Sequence, residues 1–266
     1  FVGSRGLGDV YKRQTFNISV FLLYFDYTKV VIKVSRSGVE KFLTCKRCFV
    51  LEQKYKVRAP SLPFTLNIAV DNLCKNEFDY YRERQEPHPI FLEHKIDAVP
   101  FKHPKMNEWR SNFKGIHYID ELKGYDFYGA VDDVWVKPNK ELIISDVKTT
   151  AKTKFDWEKT YSEYDYPKGY RRQLEMYQWI FRKNGFKVSN DGYLVYYNGL
   201  RNEPMFNQQI KFELHLIKLD CDDSWVEEAI LSACKLLASD EYPPASKNCD
   251  TCQYLKKRWD IKQVIN

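Results

Sequence analysis

The sequence predicts an α/β protein in which a central mixed β-sheet is flanked by helices. Three observations predict it. Two β-rich runs, 126–136 and 141–149, are separated by a turn signal; helical periodicity lies on both sides of them; and a Cys-x-x-Cys pair stands near each end of the legible region. No internal repeat, low-complexity tract or flexible linker interrupts this order, so residues 35–260 read as a single domain.

The legible pattern starts at Ser35. Ser37 is placed to cap a short helix, 38–43, with Glu40 as the reciprocal capping-box partner, and this helix runs into Cys45-Lys46-Arg47-Cys48. Pro60 and Pro63 mark a loop. Beyond it, 64–84 sets Leu66, Ala69, Val70, Leu73 and Phe78 at helical spacing, and Pro87 and Pro89 close the helix. Residues 87–120 read as irregular with short helices. Their histidines, His88, His94 and His103, lack metal-ligand spacing and read as loop and surface residues.

The middle is β-rich. Residues 126–136 alternate and carry Val131, Val134, Trp135 and Val136, while 141–149 carry Leu142, Ile143, Ile144 and Val147. Lys137-Pro138-Asn139-Lys140 between them is a turn, so the pair reads as a β-hairpin. A helix over 170–183 follows, stopped by Asn184-Gly185 in a left-handed cap. Residues 193–198 and 209–219 read as two further strands. Ser224 with Glu227 opens a last helix through Leu237, ended by Pro243-Pro244.

Composition bounds the function without selecting it. The chain has 266 residues, 44% hydrophobic and 16% aromatic, with 11 Gly and 11 Pro, which excludes a disordered tail, a collagen-like repeat and a disulfide mini-protein. Its net charge of +6 permits a nucleic-acid partner without arguing for one. Residues 4–14, SRGLGDVYKRQ, resemble a translated sequencing adapter, so 1–14 are set aside as artefact; their net charge is +2, leaving +4. Residues 15–34 read as an uncertain, non-native leader. The apolar stretch 18–25 falls far short of the ~20 residues a bilayer span needs, and the chain reads as soluble and cytoplasmic, without a membrane partner.

The chemistry concentrates in three segments: Gly129-Ala130-Val131-Asp132, Ser145-Asp146-Val147-Lys148-Thr149-Thr150 and Gln173-Leu174-Glu175-Met176-Tyr177. With the hairpin centred on Asn139, Asp132 and Asp146 face each other on one side of the sheet, and Lys148 shares that face. Two carboxylates ~5 Å apart repel by about 3 kcal/mol at an effective dielectric of 20, so a proton or a cation belongs between them. Mg²⁺ or Mn²⁺ takes such oxygen ligands, and Lys148 beside it would orient water or stabilise charge on a phosphate. A register slip of one residue would turn Asp132 away and bring up Asp133, leaving a solvated strand face.

These residues carry a resemblance. Gly-x-Val-Asp, then Asp-x-Lys-Thr-Thr, then Gln-Leu-x-x-Tyr resembles the PD-(D/E)XK nuclease superfamily, in particular its RecB-like branch with CRISPR-associated and helicase-coupled exonucleases. The resemblance implies a restriction-endonuclease-like core and a metal-dependent deoxyribonuclease. It makes Asp132 and Asp146 metal-binding acids, the Val147 carbonyl a further ligand and Lys148 the catalytic lysine, with Gln173 and Tyr177 as the helix motif that supports the site and the DNA strand. It also calls for a ligand from an earlier helix, where Asp71 stands in place of the usual His; the same Asp71 could instead be a surface acid paired with Lys75.

Seven cysteines, an odd count, argue against a disulfide framework. Cys45, Cys48, Cys249 and Cys252 form a Cys₄ set suited to Zn²⁺ or to a [4Fe-4S] cluster, a structural clip joining the two ends of the domain. RecB-like enzymes resemble this, usually with one N-terminal and three C-terminal cysteines where this chain has two and two. Cys74, Cys221 and Cys234 read as core residues. Lys46, Arg47, Lys54, Lys56 and Arg58, then Lys168, Arg171 and Arg172, then Lys256, Lys257 and Arg258 are placed to neutralise phosphates, with interleaved Tyr and Trp to stack single-stranded bases. DNA, single-stranded DNA included, is therefore the expected partner, and the helicase-coupled relatives admit a helicase or other nucleic-acid-processing partner. The competing expectation is a non-catalytic nucleic-acid-binding protein that uses its Cys₄ clip and basic surface.

Overall fold

The computed structural model describes residues 31–61 and 64–265, with side chains to residue 261. The adapter-like segment 1–14, the stretch 18–25 and most of the leader lie outside the described residues. Five strands, β2 (Val99–Pro100), β5 (Asp133–Val136), β6 (Leu142–Thr150), β7 (Val188–Gly199) and β8 (Phe212–Asp220), form a mixed sheet in the order β2-β5-β6-β7-β8. Within this sheet only β6 and β7 pair in parallel. Their crossover is made by α6 (Trp157–Glu163) and α7 (Tyr166–Lys183). A second sheet has the order β1-β4-β3, from β1 (Ile32–Ser35), β3 (Ile116–Asp120) and β4 (Tyr125–Gly129).

The hairpin forms in the expected register. Asp133 pairs with Ser145, Val134 with Ile144, Trp135 with Ile143 and Val136 with Leu142. Lys137 N donates to the Glu141 carbonyl at 2.9 Å, and Asn139 Oδ1 accepts from Glu141 N at 3.0 Å. These bonds pin the turn, and with it every side chain's face. α7 is buried through the whole run from Gln173 to Phe181, the polar Gln173, Glu175 and Gln178 included, and packs against both sheets. Gly185, at φ +86°, supplies the left-handed residue just past its end.

Several expectations need correction. Residues 126–136 are not one strand: β4 and β5 belong to different sheets, because Val131 turns into the core, with no exposure, and donates its N–H to the Trp109 carbonyl. The irregular span 87–120 contains β2 and β3 besides the helices α4 (Pro89–Glu93) and α5 (Met106–Trp109), and α6 was not anticipated. Ser35, not Ser37, caps α1 (Arg36–Thr44), its hydroxyl accepting from Gly38 N at 3.0 Å. α8 (Val226–Ala238) has no side-chain cap at Trp225 and ends before the Pro243-Pro244 pair.

α3 (Thr65–Arg84) buries Val70, Cys74, Phe78 and Arg82, a stripe at i+4 spacing that packs on the five-stranded sheet, and leaves Leu66, Ala69 and Leu73 exposed. His88 is buried rather than superficial: its ring stacks on Phe78 at 4.2 Å and its Nδ1 accepts from Ile90 N to cap α4. His103 is half-buried, stacked on Trp109, and His94 is exposed as expected. Cys74, Cys221 and Cys234 are buried and free. Among the described residues no helix is long and apolar enough to cross a membrane.

Candidate functional site

Hairpin register decides where the acids go. Asp132 lies one step beyond the ladder of β5, across from Asp146 on β6; its Oδ2 accepts from Val147 N at 2.9 Å, which ties it to the neighbouring strand. Asp146 is fully buried. Its Oδ1 accepts from Gln173 Nε2 at 2.6 Å, and its Oδ2 lies against the Lys148 ammonium. Gln173 Oε1 in turn stands 3.4 Å from Lys148 Nζ, so one amide on α7 orients both the acid and the lysine. Lys148 also lies over the Tyr170 ring, 4.5 Å from its centroid.

Tyr177, one helical turn after Gln173, donates its hydroxyl to the Ala130 carbonyl and so anchors the segment that carries Asp132. The fit there is tight, because a Cβ on Gly129 would come within 2.8 Å of Tyr177 Cε1. The acids and Lys148 open into a cavity of about 320 Å³, whose far wall includes Arg36, Ser37 and Lys114.

Burial pushes the Asp146 carboxyl up to about 7, and the facing Asp132 adds to this, while Lys148 pulls the other way. Burial disfavours the charged lysine, yet the carboxylates of Asp146 and Asp132 more than offset it and raise Lys148 above the usual ammonium value. Burial also raises the Tyr177 phenol. A buried carboxylate that holds a proton near neutrality beside a second carboxylate is a site where a hard divalent cation can replace that proton, so the donor set fits such an ion.

Asp133, the alternative that a slipped register would have raised, points to the opposite face. Both its oxygens accept from Arg82 Nη2 at 2.7 Å, and Arg110 Nη2 donates to Oδ2 at 2.6 Å. Asp71 stops short of the acid pair. Its Oδ2 is held by Lys75 Nζ at 2.7 Å, and the same ammonium lies 3.6 Å from Asp132 Oδ1. Burial raises the Asp71 carboxyl, with a further contribution from Asp132. Sequence reasoning saw the Asp71–Lys75 pair as a surface feature and missed that Lys75 links α3 to the site. No sequence signal marked Arg36.

Several of the basic residues expected to meet phosphates are engaged within the protein. Arg172 holds Glu40 through two hydrogen bonds of 3.0 and 2.6 Å, and Arg171 bonds Glu175 and the Asp220 carbonyl. Arg47 donates to the Pro243 carbonyl and Lys54 to that of Ser239, which fastens the segment after α8 onto α2 (Lys46–Gln53). The other members of these runs, Lys46, Lys56, Arg58, Lys168, Lys256, Lys257 and Arg258, are exposed.

The sulfur atoms of Cys45, Cys48, Cys249 and Cys252 all lie within 4.8 Å of one another, the one such group of potential ligands among the described residues. Cys45 immediately precedes α2, and Cys249 immediately precedes α9 (Asp250–Ile265), a helix not foreseen from the sequence. Two helix N-termini therefore converge on the four sulfurs, and their amides favour thiolate. At Cys45 burial acts to raise the thiol, but hydrogen bonds from Ser246 and Cys48 backbone outweigh it and bring it down to about 7. Burial pushes Cys252 up to about 11. The four sulfurs are close enough to hold one metal ion, which would draw the protons off them.

Acids on a hairpin, lysine two residues on and a Gln/Tyr helix behind them define a class, and the family comparison agrees: the model of the PD-(D/E)XK nuclease superfamily matches residues 66–256, and the chain belongs to that superfamily. Among solved structures the chain is similar to a candidate exonuclease from Eubacterium rectale, with 16% identity over 93% of this chain and 94% of that one and a TM-score of 0.44. It is also similar to the protein SSO0001, with 16% identity over 83% of this chain and 82% of that one and a TM-score of 0.37. No curated protein sequence matches the chain.

Proposed function

We propose that this chain is a metal-dependent deoxyribonuclease of the RecB-like branch, with residues 35–260 as one nuclease domain. The observation that carries the reading is Gln173, which bonds Asp146 and reaches Lys148 at the mouth of a cavity that Asp132 shares. Asp132, Asp146 and the Val147 carbonyl would hold Mg²⁺ or Mn²⁺, with Asp71 a further ligand once released from Lys75. When bound, the divalent cation neutralises phosphate oxygens and lowers the pKa of water.

The chain's own groups do the rest. Lys148, kept charged by the two carboxylates, stabilises negative charge as it develops on the phosphate and orients the attacking water. Gln173 fixes the directions of both Asp146 and Lys148, and Tyr177 fixes the backbone before Asp132. The four thiolates suit Zn²⁺ or a [4Fe-4S] cluster in a structural role, and they support the RecB-like assignment because they join the two ends of the domain.

The test is digestion of single- and double-stranded DNA by the purified protein with Mg²⁺ or Mn²⁺. Wild type is expected to degrade DNA and Lys148→Ala to lose at least about a hundredfold in rate. Equal digestion by the two proteins, or none by either, overturns the assignment; tight binding without cleavage by wild type would favour the non-catalytic DNA-binding alternative.

A further inference from the structure

Beside Lys148, on the side away from Asp132, a second recess of about 280 Å³ is lined by Tyr166, Tyr170, Tyr196, Phe155, Lys152 and Thr160. It adjoins the acid site at Tyr170, whose ring lies under the Lys148 ammonium and also lines the recess. Thr150, also in the wall, follows Lys148 by two residues on β6, about 7 Å along the strand. The rings are arranged edge to face, with Tyr166 to Tyr170 at 5.6 Å and Phe155 to Tyr196 at 5.1 Å tilted. Tyr196 is buried, but Tyr166 is 44% exposed, so apolar ring surface faces solvent at the mouth.

The recess is built and held in place. Asn198, 1% exposed, accepts from Lys152 N at 2.8 Å and donates to the Lys152 carbonyl at 3.1 Å, clamping the chain that crosses its floor. Lys152 Nζ reaches the Thr160 hydroxyl at 2.5 Å and stands 5.6 Å from the Tyr164 ring. The ligand chemistry follows from this lining: a flat group with π-faces, hydrogen-bonding edges for the hydroxyls, and a negative charge attached for Lys152 and Lys148. The volume lies near the lower end for small-ligand pockets, about 300 Å³, and suits one ring system rather than a duplex.

We propose that this recess is a stacking subsite for one unpaired nucleobase of a DNA strand, the base adjoining the phosphate that lies against Lys148. The proposal rests on the nuclease reading for the place of that phosphate. A base inside a duplex is already stacked and paired on both sides, so only a single-stranded or frayed end can fill the recess. The subsite thereby selects single strands without reading their sequence, since every base presents a π-face.

The test reads binding without turnover. Full-length Asp132→Ala protein, which keeps Lys148 and does not cleave, is titrated in Ca²⁺ with a short single-stranded oligonucleotide carrying 2-aminopurine, and with a duplex closed by hairpins at both ends. Adding Tyr166→Ala is expected to weaken single-strand binding about tenfold and to abolish the 2-aminopurine quench, with Tyr166→Phe restoring both and the closed duplex unaffected. Unchanged single-strand affinity in Tyr166→Ala, an equal loss on the closed duplex, or no single-strand binding at all overturns the proposal. Because no cleavage is read, these outcomes are separate from failure of the nuclease reading, which the digestion of DNA by wild type and Lys148→Ala decides.

Discussion

Adjacent aspartates on one strand are expected to fail in opposite ways. Asp133 is 3% exposed and sits between Arg82, 4% exposed, and Arg110, 7% exposed. Asp79 contacts both guanidiniums but is 41% exposed, so Asp79 and Asp133 together balance the two arginines. Asp133→Ala leaves one positive charge uncompensated in a buried setting, and breaking a buried pair in this way costs about 3–5 kcal/mol. At about 4 Å and an effective dielectric of 20 each lost contact amounts to about 4 kcal/mol of attraction, which Asp79 and entering water only partly replace. Urea unfolding followed by circular dichroism measures the loss. Asp132→Ala, by contrast, removes a half-buried carboxylate facing Asp146 and should change stability by less than about 1 kcal/mol while abolishing DNA cleavage. A stability of Asp133→Ala within about 1 kcal/mol of wild type, or cleavage by Asp132→Ala at the wild-type rate, would refute the assignment of opposite faces.

Three further outcomes are expected. Removing metal from the Cys₄ cluster, by chelation or Cys249→Ser, should free α9 rather than unfold the core, because Tyr254, Leu255, Trp259 and Ile261 on that helix are all exposed; hydrogen exchange that stays slow in α9 after metal loss would contradict this. Gly129→Ala drives a methyl group to 2.8 Å from Tyr177 Cε1 and 3.1 Å from Arg36 Cβ, so it should cost about 1–3 kcal/mol by urea unfolding and slow cleavage through displacement of the segment before Asp132. Burial holds the His88 imidazole below its usual value, although Glu77 opposes this. The unfolded chain then binds the proton more readily, so this contribution to stability is present above about pH 6.5 and is lost as pH falls through the folded value. His88→Phe, which keeps the stack on Phe78, should flatten the acid limb of the urea-midpoint profile relative to wild type.

Local sequence placed the hairpin and its turn at Asn139 but left two registers open, with either Asp132 or Asp133 facing Asp146; the observed ladder, with Asp133 opposite Ser145, sets Asp132 there. The helical spacing of Gln173 and Tyr177 and the spacing within each Cys-x-x-Cys knuckle are local separations and are legible in the same way, whereas the meeting of Cys48 with Cys249, 201 residues apart, belongs to the fold. Which partner covers each face is set by packing between distant segments. Val131 leaves one sheet for another because Trp109, remote in sequence, offers its carbonyl. Lys75 links Asp71 to Asp132 because α3 packs on β6, and Arg82 and Arg110 meet at Asp133 because two segments 28 residues apart fold over the same strand. Periodicity states that a side chain points inward; it carries no information about the distant residue that meets it there, and burial, charge pairing and the shape of the two recesses all arise from those meetings.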